Sequence, residues 1–201
     1  MNKICIEDNY ESYNEILDFW FKDGIDFKKW FMSKTKYDKI IKDKFFELLK
    51  LAEDGCYLEW LSYHKSYLAM IILLDQFSRH IYRGTKDAYK NDKKARLFAE
   101  MALDMHLNNF TAAEKMFVLM PYQHSENLED QKFGKKMLEN LIKNEKNINE
   151  KNILNKALYH QKRHLEVIKK FGRFPKRNEF LGRESTEEEV DYMDENEKYD
   201  Y

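Results

Sequence analysis

The sequence predicts an all-α fold, and three observations carry that prediction. Glycine and proline are scarce, 6 and 2 in 201 residues, which suits long helices rather than a loop-rich sandwich or barrel. Apolar residues recur at spacings of three and four along most of the chain, and no two segments alternate as paired strands would. Helix-start patterns, Ser or Thr followed three residues later by Glu, precede apolar runs at Ser12/Glu15 and Thr111/Glu114. A hydrophobic content of 43%, with 14 Phe and 13 Tyr, supplies a ring-rich core, and the length suits one domain over residues 1–201.

In chain order, the first helix starts near Asn9, is capped at Ser12 and stops at Gly24, with Trp20 on its buried face. Beyond a connector containing Trp30 and Phe31, Thr35 caps a second, amphipathic helix that ends at Gly55. A third, from about Lys65 to Tyr82, is apolar on every side between Tyr67 and Leu74 and is therefore the most buried element. A fourth fits Asp92 to Leu107, and Thr111 opens a shorter one that Pro121 ends or kinks. Ser125 is placed to cap a helix reaching about Asn144. A long helix then follows an Asn- and Lys-rich linker and runs into a turn, and a last short helix begins at Thr186. About eight helices result, with short connections that favour antiparallel neighbours.

Charge is unevenly distributed. The segment from Glu184 to Tyr201 carries nine acidic residues and one Lys, so residues 1–183 hold 34 basic against 27 acidic residues, a balance of +7, although the whole chain stands at −1. The acidic tail, residues 187–201, is expected to be partly frayed, or alternatively to fold over the preceding turn as a competitor for an anionic ligand. Cys5 and Cys56 have no metal-binding or redox spacing and read as reduced thiols of a cytoplasmic protein. No apolar signal region opens the chain, and its longest apolar run, Tyr67 to Leu74, is far short of the ~20 residues of a membrane helix.

Two polar stretches stand out, LDQFSRHIYRGT (Leu74–Thr85) and FGRFPKRNEFLGREST (Phe171–Thr186). In the second, Gly172, Gly182 and Pro175 build a rigid turn that presents Arg173, Lys176, Arg177 and Arg183 between aromatic anchors. A third concentration of polar groups, PYQHSENLEDQ, spans Pro121–Gln131.

These segments, with ILDFWF (Ile16–Phe21) and HLEVIKKFGRFPKRNEFLGREST (His164–Thr186), resemble in order and separation the bacterial-type family catalogued as domain of unknown function 924. The resemblance implies an irregular tetratricopeptide-like right-handed superhelix of antiparallel helix pairs and brings no established activity. It places the family's polar signature on Asp75, Gln76, Arg79, Arg83, His124, Ser125, Glu126, Gln131, His164, Arg173, Arg177, Asn178 and Arg183. Lys176 stands where that family usually has a His, which argues against a mechanism needing an imidazole there.

Three readings of the polar residues remain open. The first is a binding module for an acidic peptide, a protein or a small anionic ligand, using Gln76, Arg79, Arg83, His124, Ser125, Arg173, Arg177, Asn178 and Arg183. The second is an enzyme of unassigned reaction with Asp75, Glu126 or His164 in proton transfer. The third is a purely structural lock, in which case Arg177→Ala would cost stability rather than binding. His160 and His164 have one-face spacing, but without an HExxH glutamate they do not make a metal site on their own. Ser125, His124 and Asp75 lack a nucleophile elbow, and no phosphate-binding loop or dinucleotide fingerprint implies a cofactor. Lys162 to Arg183, with eight basic and two acidic residues, is the only stretch suggesting nucleic acid, and a solvated face explains it as well.

Overall fold

The structure, a computed structural model, describes residues 9–22, 24 and 35–195. Every regular element among them is helical. Helices α1 (Asn9–Phe21) and α2 (Thr35–Glu53) are followed by α3 (His64–Ile71), which continues through a π-helical stretch (Ile72–Phe77) into α4 (Ser78–Ile81). Next come α5 (Asp92–His106), α6 (Ala112–Gln123), α7 (Leu128–Asn144), α8 (Ile148–Phe171), α9 (Asn178–Leu181) and α10 (Glu187–Glu195). Cys5, the Trp30–Phe31 connector and residues 196–201 of the expected tail lie outside the described residues. Cys56 is a buried free thiol.

Contacts group the chain into two compact units, Met1–Arg83 with Asp87–Pro121, and Gly84–Lys86 with Tyr122–Tyr201. In the first, α3 packs against α1 and α5, and α2 against α4. Its core is aromatic, as the composition requires. Phe77 lies between Phe45 and Trp20, with centroid distances of 4.7 and 5.4 Å, and Trp20 also meets Phe117 edge-on at 5.6 Å. The run Tyr67–Leu74 is fully buried, as its all-round apolarity predicts.

In the second unit α7 and α8 form an antiparallel pair joined by three residues, closed where Gln161 Nε2 donates to Gln131 Oε1 at 2.6 Å. The close approach there depends on Gly134, since a Cβ at that position would stand 2.9 Å from Gln161 Oε1 and 3.2 Å from the Cβ of Tyr122.

Several helix starts follow the sequence rules and others depart from them. The Thr111/Glu114 capping box forms as expected, Thr111 N–H donating to Glu114 and Glu114 N–H to Thr111 Oγ1. Ser12 does not cap α1, which already begins at Asn9. Ser125 does not cap α7 either. Asn127 does, accepting from the amides of Glu129 and Asp130, while Ser125 Oγ donates to Asp130 at 2.7 Å. Pro121 does not end α6, which continues to Gln123; so close to the C-terminus, the missing N–H removes a single ladder bond. No helix among the described residues is long and apolar enough to cross a membrane.

Candidate functional site

The first polar cluster lies in the first unit and grows from the π-helical stretch. Asp75, 1% exposed, accepts from Gln76 Nε2 at 2.6 Å and pairs with Arg79 at 3.1 Å. Arg79 also bonds the Asp75 carbonyl at 2.7 Å and the Asp92 carboxylate at 3.0 Å. Burial works against the Arg79 charge, but Asp75 and Asp92 outweigh it and hold the guanidinium above its usual pKa. One turn on, Arg83 grips Asp38 with Nε and Nη2 at 2.6 and 3.0 Å, and His80 Nδ1 meets the same carboxylate at 2.6 Å. Burial alone would raise the Asp38 carboxyl, yet these two partners bring it below its ordinary pKa.

The second cluster lies in the second unit, on the turn after α8. Gly172 ends that helix in the left-handed conformation at φ 69°, and Pro175 opens a short 3-10 turn, Pro175–Arg177. Glu126, from the α6–α7 connection, accepts from the Phe174 amide at 2.8 Å and from both Nη atoms of Arg183 at 2.7 and 3.0 Å. Burial raises the Glu126 carboxyl, and Arg183 and the Phe174 amide lower it by more. Glu189 of α10 receives a two-pronged contact from Arg173, both bonds 2.7 Å, together with the Thr186 amide and Asn178 Nδ2. Arg173 is the main cause that brings the Glu189 pKa down to about 2. Arg177 is buried, its guanidinium 4.5 Å above the Phe174 ring. His164 donates through Nδ1 to the His160 carbonyl at 2.8 Å and meets the Phe174 ring edge-on. Burial presses its pKa down to about 3, so the imidazole is neutral at physiological pH.

Fold and geometry together invite comparison with known proteins. The sequence matches the family described as a bacterial protein of unknown function, DUF924, over residues 16–197. The chain belongs to the DUF924 family. A solved structure of a protein of unknown function from Agrobacterium tumefaciens is similar, at 32% identity over 94% of this chain and 99% of that one, with a TM-score of 0.82. No curated protein matches.

In this DUF924 chain the sequence-predicted residues fall into two groups. Asp75 bonds Gln76 and Arg79, and Arg83 holds Asp38 one turn on, while His124, Ser125, Glu126, His164, Arg173, Arg177, Asn178 and Arg183 belong to the second unit, with Glu126, His164, Arg177 and Arg183 in contact with Phe174. Four of the arginines expected to face a ligand, Arg79, Arg83, Arg173 and Arg183, hold carboxylates of the DUF924 chain itself. Their partners Asp38, Asp92 and Glu189 were not singled out from the sequence. Only Glu189 left a usable signal, because Thr186-x-x-Glu189 is a capping-box pattern, and the structure forms it. Among the described residues no group of three or more His, Cys, Asp and Glu is placed to hold a metal ion.

Proposed function

We propose that the protein is a binding module for acidic protein segments and that its arginine-rich turn is the scaffold of that module. The observation carrying the proposal is the run of cations at the α8 surface, Lys162, Arg163, Lys169 and Lys170, ahead of a turn whose arginines are committed to carboxylates of the chain itself or buried. Arg173 and Arg183 hold the turn together through Glu189 and Glu126, whereas Lys162 and Arg163 lie on the α8 surface. A basic helix followed by a rigid turn attracts carboxylates and presents them with a fixed surface. The reading sets the chain among intracellular proteins built from irregular tetratricopeptide-like helix pairs, a class whose faces bind peptides.

The catalytic alternative has weaker support. A general acid or base works best with a pKa near the operating pH. His164 lies at about 3, Glu126 is pinned as a carboxylate, and Asp75 is buried against Arg79. Neither His164 nor Glu126 is poised to exchange a proton at neutrality.

Thermal unfolding of the whole chain against an acidic peptide, its lysine counterpart and inorganic phosphate tests the proposal. The acidic peptide should raise Tm saturably and the lysine peptide should not. A Tm unmoved by the acidic peptide, or raised equally by both peptides, overturns it.

A further inference from the structure

The outer face of α8 carries a groove of about 470 Å³, and its lining follows helical spacing. Tyr159, the Lys162–Arg163 pair, the Glu166–Val167 pair and the Lys170–Phe171 pair recur every three or four residues along the helix, and Tyr192 of α10 forms the opposite wall. Val167, at 4% exposure, is the floor. Tyr159 is 57% exposed, a large ring facing solvent, and the Phe171 and Tyr192 rings meet at 5.0 Å. Arg163 lies 5.8 Å from the Tyr159 ring, and Lys170 is 4.9 Å from that of Phe171. Two aromatic bodies, each with a cationic tip beside it, therefore lie along one face, with the Glu166 carboxylate between them.

We propose that this groove is the docking site for an acidic peptide segment carrying one aromatic anchor. The inference rests on the binding function proposed above and gives it a place and a ligand chemistry. Charge complementarity names the occupant. Lys162 has no ion-pair partner among the described residues, and the Lys170–Glu188 bridge at 3.0 Å is half exposed on both sides, so an incoming carboxylate can exchange with it. The anchor ring finds Tyr159 and the Phe171–Tyr192 pair, whose geometry favours offset or edge-on contact. From Tyr159 to Phe171 the helix rises about 18 Å, the length of about five or six extended residues. Glu166 stands midway along the face, tied to Lys169 at 2.8 Å. A continuous phosphate backbone would run past that carboxylate, whereas a peptide can present an uncharged residue to it.

The test uses the full chain and a fluorescein-labelled acidic heptapeptide with one central tryptophan, read by anisotropy. Its partners are the same peptide with alanine for tryptophan and a labelled deoxythymidine oligonucleotide. Tyr159→Ala and Lys162→Glu should each weaken the tryptophan peptide about tenfold or more, with Tm unchanged because both side chains are at the surface. Lys135→Glu, the same charge change outside the groove, should leave binding as it is, and the alanine peptide should bind wild type about tenfold more weakly. If the acidic peptide binds wild type and both groove variants alike, the groove assignment fails while the binding function survives. If it binds none of them, both fail. Tighter binding of the oligonucleotide than of the peptide overturns the choice of a protein partner.

Discussion

Arg177 separates a ligand-facing role from a structural one more sharply than any other residue in the turn. Its guanidinium is 3% exposed and lies on Phe174, and its charge helps keep Glu126 ionised and His164 neutral. Removing it takes away both the ring contact and a field that two neighbours depend on. Arg177→Ala should therefore lower the unfolding free energy by about 2–4 kcal/mol in urea titrations, and an unchanged midpoint would return Arg177 to the ligand-facing role. His164 supports a second prediction at this scale. Its native pKa of about 3 lies below the ordinary 6.5, so the unfolded chain binds the proton more readily than the native one. Stability is then complete above about pH 6.5 and declines as pH falls towards 3, by roughly 2 kcal/mol between pH 6.5 and 5. Glu189 adds to the loss lower down. Its native pKa of about 2 stabilises the fold above the ordinary 4.5, and that contribution fades between 4.5 and 2. Urea midpoints at successive pH values should show the first slope in wild type and a flatter one in His164→Gln.

Among the elements, α8 does most to organise the second unit. It packs on α7, where Gln161 bonds Gln131, its end supports the turn through Val167 and Ile168, and its outer face bears the groove. The α7–α8 contact is set by Gly134. In an exposed helix interior an alanine is about 1 kcal/mol better than glycine, but here its methyl group would meet Gln161 and the body of Tyr122. Overpacking outweighs propensity, and Gly134→Ala should cost a net 1–2 kcal/mol or so, read from the shift in Tm. A stabilised variant would mean that the helices separate freely. In the first unit the π-helical stretch carries the comparable weight, since it holds Asp75 and Gln76 in the interior, where Gln76 also reaches Met120 Sδ at 3.2 Å.

At the scale of the whole molecule, charge is sorted rather than balanced. A net charge of −1 would predict no attraction for an acidic partner, yet Lys162, Arg163 and Lys170 place positive charge together on the α8 surface. Binding of the acidic peptide should weaken markedly between about 50 and 300 mM salt, and salt-independent affinity would point to apolar contact alone. The helices themselves were largely legible in the sequence. Thr111/Glu114 announced a real capping box, and Asn144 and Asp92 were read as helix boundaries where the structure has them. The i, i+4 spacing of Asp75 and Arg79 also pointed to a pair that the structure forms, and what the sequence hid was the long-range pairing. Arg83 meets an aspartate 45 positions earlier and Arg183 a glutamate 57 positions earlier, and no local pattern links residues so far apart. An arginine bound for a buried carboxylate and one bound for a ligand look the same until the fold brings their partners in, which is why the turn suggested a binding surface. The π-helical stretch was equally hidden, because it shares the apolar run of the helix it interrupts.

The tight passage at Gly134 also bears on how this family diversifies. Positions 134, 161 and 122 share a single small volume, so they are not free to change one at a time. A relative that acquires a side chain at the first should carry a shorter residue at the second, and with it lose the amide bridge to position 131. Lineages should thus divide into those that keep the glycine with the glutamine pair and those that have exchanged all three together, with few intermediates between them.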